Sequence, residues 1–262
     1  MTAGERLASF GLVLPAGHTL HAVSGRPDLW RPMVRASAAL WPEFMFHDPV
    51  AAAHWDRLPA DWAGFQLALL DEAGEVVGAA NSAPLAWDGT DDGLPAGWDH
   101  QLERSVAGLE AGTPPDTLGA LQITVRPDRQ GDGLSGVMLA AMRANARAHG
   151  LRAVIACVRP TDKVRYPLTP IERYARWTRD DGLPFDPWMR LHARLGGRVV
   201  RASPASMTIR GTVAEWTGWT GLAFPESGDY LPAGALAPVR VDLAGDEGVY
   251  HDPNVWMVHA LG

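Results

Sequence analysis

The order of elements along this 262-residue chain predicts a mixed α/β domain. Three observations carry that expectation. Apolar runs at Phe65–Asp71 and Val76–Ser82 flank Glu72-Ala73-Gly74-Glu75, the pattern of a hairpin with a glycine in its turn. In the centre, a strand pattern over Thr117–Val125 leads through a polar loop into helical spacing over Leu134–His149, and then into the apolar run Arg152–Val158. Further on, a second helical segment, Asp186–Leu195, feeds strand patterns at Arg198–Arg201 and Ala205–Arg210.

The remaining elements follow in order. Thr19–Ser24 reads as a first strand, and Pro27–Trp41 as a helix with Pro27 near its start and Pro42 just beyond it. A short helix is expected over Val50–Leu58. After the hairpin comes the turn-rich stretch Trp87–Gly97, then a helix from Trp98 to Glu110. Pro127 ends the central strand. Leu134, Val137, Met138, Ala141 and Met142 give the next helix its apolar face, and Gly150 stops it. Pro187 near the first turn and Gly196-Gly197 at the end bound the later helix. Val239–Leu243 and Val255–His259 are the last strand candidates. The expected organisation is one domain over 1–262, with an insertion at about 159–185 and a C-terminal extension from about 211.

Composition narrows the function classes. The chain is 47% hydrophobic and 20% charged, with a formal net charge of −7, which argues against a general nucleic-acid binder. The single cysteine, Cys157, lies in an apolar strand and rules out an intrachain disulfide framework or a thiolate-rich metal site. No metal is expected, because His47-Asp48, His54 and His251-Asp252 lack metal-ligand spacing. No stretch approaches the roughly 18 apolar residues of a membrane span, and Met1–Leu14 lacks the character of a signal peptide. A cytoplasmic protein without membrane or nucleic-acid partners is expected.

The central loop reads Arg126-Pro-Asp-Arg-Gln-Gly-Asp-Gly-Leu-Ser-Gly136. Gly131, Gly133 and Gly136 satisfy G-x-G-x-x-G, yet five residues including Pro127 separate strand from glycine. No acidic residue follows at the distance that a dinucleotide ribose requires. The loop fits another anion cradle. Glycines let successive backbone N–H groups converge, and the helix N-terminus adds positive partial charge. Gln130-x-x-Gly133-x-Ser135 after Val125-Arg-Pro resembles motif A of the GCN5-related N-acetyltransferases (GNAT), with Ser135 replacing the family's small apolar residue.

That resemblance implies a mostly antiparallel central sheet flanked by helices, with a splayed strand pair at a coenzyme A site. It assigns acetyl-CoA or another acyl-CoA to Ile123, Thr124, Val125, Gln130, Gly131, Asp132, Gly133, Leu134 and Ser135. Pyrophosphate would sit on the loop, and pantetheine would pair with the strand. Leu191–Val199 resembles the family's helix–strand junction and puts His192 where a tyrosine usually protonates the departing thiolate. A histidine suits that acid near neutral pH. No acidic residue stands on Thr117–Val125; Gln122 and Thr124 are its polar residues, so Glu172 in the insertion is the base candidate. Tyr166, Tyr174 and Trp177, interleaved with arginines, are candidates for an acceptor pocket.

The expected activity is acyl transfer to an amine of a small-molecule acceptor by direct attack. Alternatives left open are a donor on an acyl carrier protein, thioester hydrolysis or decarboxylation, and a non-catalytic acyl-CoA-binding module. The Trp-rich segment Glu215–Gly228 is expected to fold back over the acyl end. Monomer and homodimer are equally compatible with the sequence.

Overall fold

The computed structural model describes residues 2–262; Met1, the first residue of the expected domain, lies outside them. In chain order the elements are α1 (Ala3–Leu7), β1 (Thr19–Ala22), α2 (Trp30–Ala38), α3 (Pro49–His54) and α4 (Arg57–Asp61). Next come the hairpin β2 (Leu67–Leu70) and β3 (Val76–Leu85), then α5 (Trp98–Glu110), β4 (Thr117–Val125), α6 (Leu134–Ala148) and β5 (Ala153–Val158). The chain continues with α7 (Ile171–Tyr174), α8 (Pro187–Arg194), β6 (Arg198–Gly211), α9 (Val213–Thr220), β7 (Gly228–Tyr230), β8 (Val239–Asp242) and β9 (Glu247–Ala260).

The strands form one mixed sheet in the order β1-β2-β3-β4-β5-β9. β6 lies on the far side of β9, and the β8–β7 pair flanks the start of β9. Among the described residues β4–β5 is the one parallel pairing; the other strand pairs are antiparallel. Side chains of β5 alternate between two cores. Ala153, Ile155 and Cys157 face the tryptophan-rich cluster with α5, whereas Val154 packs with Leu134, Met138 and Ala141 of α6. The sheet is therefore covered by helices on both faces. No described helix is long and apolar enough to cross a membrane.

Several expected elements take a different form. The segment from Pro27 opens as a 3-10 turn over Pro27–Leu29, and its helix stops at Ala38. The two strands foreseen between Arg198 and Arg210 are one strand, β6, whose register shifts between Ser203 and Met207, where Pro204 has no N–H for the ladder. The Trp-rich tail is no flap over a ligand. Thr212 and Glu215 form a capping box that starts α9. Trp216 is then fully buried, giving its Nε1–H to the Gly248 carbonyl at 2.8 Å.

Two buried carboxyls meet beneath α3 and α5. Asp48 caps α3, accepting the Ala51 N–H at 2.7 Å, and Asp99 accepts the Thr208 N–H at 3.1 Å. Their other oxygens are buried without a partner, and burial pushes both carboxyls above the usual carboxylate range. Burial, reinforced by the Asp48 charge, raises Asp99 to about 8. Because the folded state holds a proton that the unfolded chain releases near 4, this group's contribution is full at low pH. It is lost as pH rises toward 8. Asp99→Asn keeps the neutral form, so its melting temperature should exceed that of the wild type by roughly 2–4 °C at pH 8.5, about 1 kcal/mol. The gap should close at pH 5. An equal offset at both pH values would exclude a raised Asp99 carboxyl.

Candidate active site

β4 and β5 pair in parallel from Thr117–Ala153 to Ala120–Ala156 and no further, although both strands continue. The parting coincides with a bulge on the other edge of β4. Asn81 pairs with Gln122 and Ser82 with Ala120, so Leu121 has no partner in β3. α5 secures this kink. Trp98 Nε1–H donates to the Leu121 carbonyl at 2.9 Å, and Gln101 Nε2 donates to the Ala120 carbonyl at 3.0 Å. On the α2 side, the hydroxyls of Ser37 and Thr124 are 2.8 Å apart and buried.

Beyond the split, the chain turns through Gln130-Gly131-Asp132-Gly133 into the 15-residue helix α6. Gly131 and Gly133 adopt φ +95° and +77°, the left-handed region that glycine tolerates. A Cβ at either would meet no protein atom within 4 Å, so packing does not demand glycine; backbone conformation and an open approach do. The first N–H groups of α6 have no helical partners, and the loop brings them to the surface beside the split. This arrangement fits a pyrophosphate. Asp132 contributes differently, since its carboxylate pairs with Arg129 Nε at 3.0 Å.

A single cavity of about 990 Å³ runs from this loop through the strand split to a chamber under α2 and α3. Ile123, Thr124, Val125, Gln130, Gly131, Gly133, Leu134 and Ser135 line its loop end. Trp30, Trp41, Trp55 and Trp98 line the chamber. Trp55 lies between Trp30 (6.4 Å) and Trp98 (6.3 Å), and Arg159 stacks over Trp41 at 5.5 Å. Arg159 is held by Asp252 through its Nε at 3.0 Å and by the Gly234 carbonyl through Nη2 at 2.8 Å. Asp252, fully buried, also accepts the Tyr250 hydroxyl at 2.6 Å. Cys157 lines the cavity too, but burial raises its thiol to about 12, so it is no nucleophile at neutral pH.

His192 reaches the cavity from α8 and is 2% exposed. Its Nδ1 lies 2.9 Å from Nε2 of His259 on β9, while its own Nε2 has no partner. Burial, then the neighbouring His259 and Arg143, lowers His192 to about 3. Its ring is thus neutral at neutral pH and holds no spare proton. Glu172 stands exposed on α7 and does not line the cavity. Tyr166, Tyr174 and Trp177 also lie away from it, packed with Phe185 edge-to-face or tilted at 5.0–6.2 Å. Their work is to orient α8. The Tyr174 hydroxyl donates to Asp186 at 2.9 Å, and Asp186 caps α8 through the N–H groups of Trp188 and Met189. No group of three or more His, Cys, Asp or Glu is gathered for a metal among the described residues.

Sequence reading singled out the loop and His192 but missed the chamber, the Leu121 bulge and His259. The one signal for His259 was an imidazole inside an otherwise apolar strand, Val255–Ala260.

No family model matches the chain. It is 33% identical to arginine N-acetyltransferase avaD of Aspergillus versicolor, over 99% of each protein. Among solved structures, the loading GNATL domain of CurA from Lyngbya majuscula superposes with a TM-score of 0.60 at 16% identity, covering 93% of this chain and 98% of that one. The GphF GNAT-like decarboxylase in complex with isobutyryl-CoA gives 0.58 at 20% identity, covering 93% and 99%. These two likenesses bear on the fold.

Proposed function

The chain belongs to the GCN5-related N-acetyltransferase superfamily and is an enzyme of that kind; from that premise we propose that it transfers an acetyl group from acetyl-CoA to a nitrogen of a small cationic acceptor of the arginine class. The observation that carries this reading is the continuity of one cavity from the glycine loop, through the split between β4 and β5, to the tryptophan chamber. A donor thioester and an acceptor can therefore meet at the split. Supporting the acceptor class are the similarity to an arginine N-acetyltransferase and the chamber walls, since indole faces attract guanidinium and ammonium groups.

Acetyl-CoA supplies an activated carbonyl whose leaving group is a thiolate. The protein's part is placement and proton handling. Gly131, Gly133 and the start of α6 hold the phosphates, and Ile123–Val125 offer backbone groups on the edge that β5 has left. A backbone N–H beside the Leu121 bulge polarises the carbonyl oxygen. Cys157 stays protonated, so attack is direct. His192 moves the proton: an acceptor nitrogen in its uncharged form, its extra proton already lost to solvent, bonds to the acetyl carbon as the C–S bond breaks, and Nε2 takes the one proton that this nitrogen then loses and passes it to the sulfur.

The test is thiol release from acetyl-CoA with arginine, with agmatine, with lysine and with no acceptor, together with mass analysis of the product. Arginine is expected to give stoichiometric thiol and a product heavier by one acetyl group. Equal thiol release without acceptor would replace transfer by hydrolysis. Binding without turnover would leave an acyl-CoA-binding module, and turnover only from a carrier-bound acyl group would change the donor.

A further inference from the structure

We propose that His259 is a positioning residue for the proton-moving His192, accepting its Nδ1 proton so that Nε2 is left with its lone pair free; this rests on the role given to His192 above. The geometry is specific. His259 is fully buried on β9, 67 residues further along the chain, and its Nε2 lies 2.9 Å from His192 Nδ1. The opposite nitrogen of His192 is buried and has no partner, on a residue that borders the cavity. Trp188, one turn earlier on α8, sets its ring edge-on to His192 at 4.5 Å and restricts the imidazole to this orientation.

Three neighbours decide the protonation of the pair. Burial and then Arg143 on α6 lower His259 to about 4, against the pull of the Leu195 carbonyl. Arg143 also disfavours charge on His192. Both rings are neutral at neutral pH, so one proton lies between the facing nitrogens. If His192 Nδ1–H donates it, Nε2 is a base able to take a proton from the acceptor nitrogen. If His259 donates it, Nε2 carries a hydrogen and cannot receive one. The residue opposite Nδ1 therefore chooses whether His192 can begin the transfer, the logic by which an orienting group fixes a catalytic imidazole. Nε2 gains one proton from nitrogen and loses it to sulfur, so the pair ends as it began.

The experiment combines kinetics with a spectroscopic reading of tautomers. Long-range proton–nitrogen correlation spectra of histidine-labelled wild type should show His192 as the Nδ1–H tautomer, and His259→Leu should turn it into a mixture. In the same variant kcat should fall roughly 10- to 100-fold, part of what a proton-transfer group supplies. The acetyl-CoA dissociation constant by calorimetry should stay within about twofold. His259→Gln, whose amide oxygen accepts a hydrogen bond, should recover most of kcat. A wild-type His192 in the Nε2–H form, or wild-type kcat in folded His259→Leu, would overturn the proposal. The tautomer reading decides the matter even if His259→Leu does not fold. His192→Ala separates the two levels. If it is inactive while His259→Leu is not, only the positioning role fails; if it is fully active, the reading of His192 fails as well.

Discussion

Gly131→Glu is expected to weaken acetyl-CoA binding more than about 100-fold in calorimetric titration, with a circular dichroism spectrum like that of the wild type. Two effects are involved, and they separate. Gly131 has φ +95°, so any side chain strains the backbone, by about 1–2 kcal/mol. That cost falls equally on Gly131→Ala. The glutamate adds a negative charge at the mouth of α6, where the structure otherwise offers unpaired N–H groups and the positive end of a 15-residue helix. Since a Cβ here meets no protein atom within 4 Å, the new side chain occupies the approach to the loop and not the core. Gly131→Ala should thus lose the stability but keep most of the affinity. Equal affinities in Gly131→Glu and wild type would remove the loop as the phosphate site. Equal losses in both variants would make backbone strain, and not charge, the cause.

The loop behind this prediction was legible in the sequence, because its determinants are local. A strand, two glycines and a helix within twenty residues are covalently bound to lie together, and β4 spans Thr117–Val125 as its alternation implies. Non-local features were less legible. The chamber takes Trp30 from α2, Trp41 from the following turn, Trp55 from just after α3 and Trp98 from α5. Nothing in composition separates those tryptophans from Trp177, which packs against Tyr166 and Phe185, or from Trp216, which is core. Burial of an aromatic ring contributes similarly in either place. The Leu121 bulge depends on the register of β3, and the His192–His259 contact depends on β9 lying next to β5 at the centre of the sheet. The same holds for the weak His-Asp pairs in the sequence. In the structure their aspartates, Asp48 and Asp252, are buried hubs, whereas His47 stacks on Trp219.

Asp252→Ala should be the most destabilising single change at the site, by about 2–4 kcal/mol in urea denaturation, because it leaves a partly buried cation without its carboxylate and the buried Tyr250 hydroxyl without its acceptor. The wild-type carboxylate is inaccessible to solvent and accepts from Arg159 Nε and the Tyr250 hydroxyl, and Tyr250 in turn accepts the Leu236 N–H at 3.0 Å. Nearby, Lys163 is 1% exposed and gives its ammonium protons to the carbonyls of Tyr166 and Leu236, at 2.9 and 2.6 Å. Burial lowers Lys163 to about 8, while the charge of Asp252 works against that shift. One aspartate therefore offsets two cations at the junction of the 159–185 segment, β9 and the loop before β8. Removing Arg159 as well should restore much of the loss, since exchanging both partners for apolar groups leaves no unpaired charge. Arg159→Met with Asp252→Ala is thus expected to be more stable than Asp252→Ala alone. If the double variant is instead less stable by the sum of the two single losses, the pair is uncoupled, and Arg159 finds its partner in Gly234 and solvent. Arg159 also lines the cavity beside Trp41, so the double variant should regain its fold without regaining the wild-type KM for the acceptor.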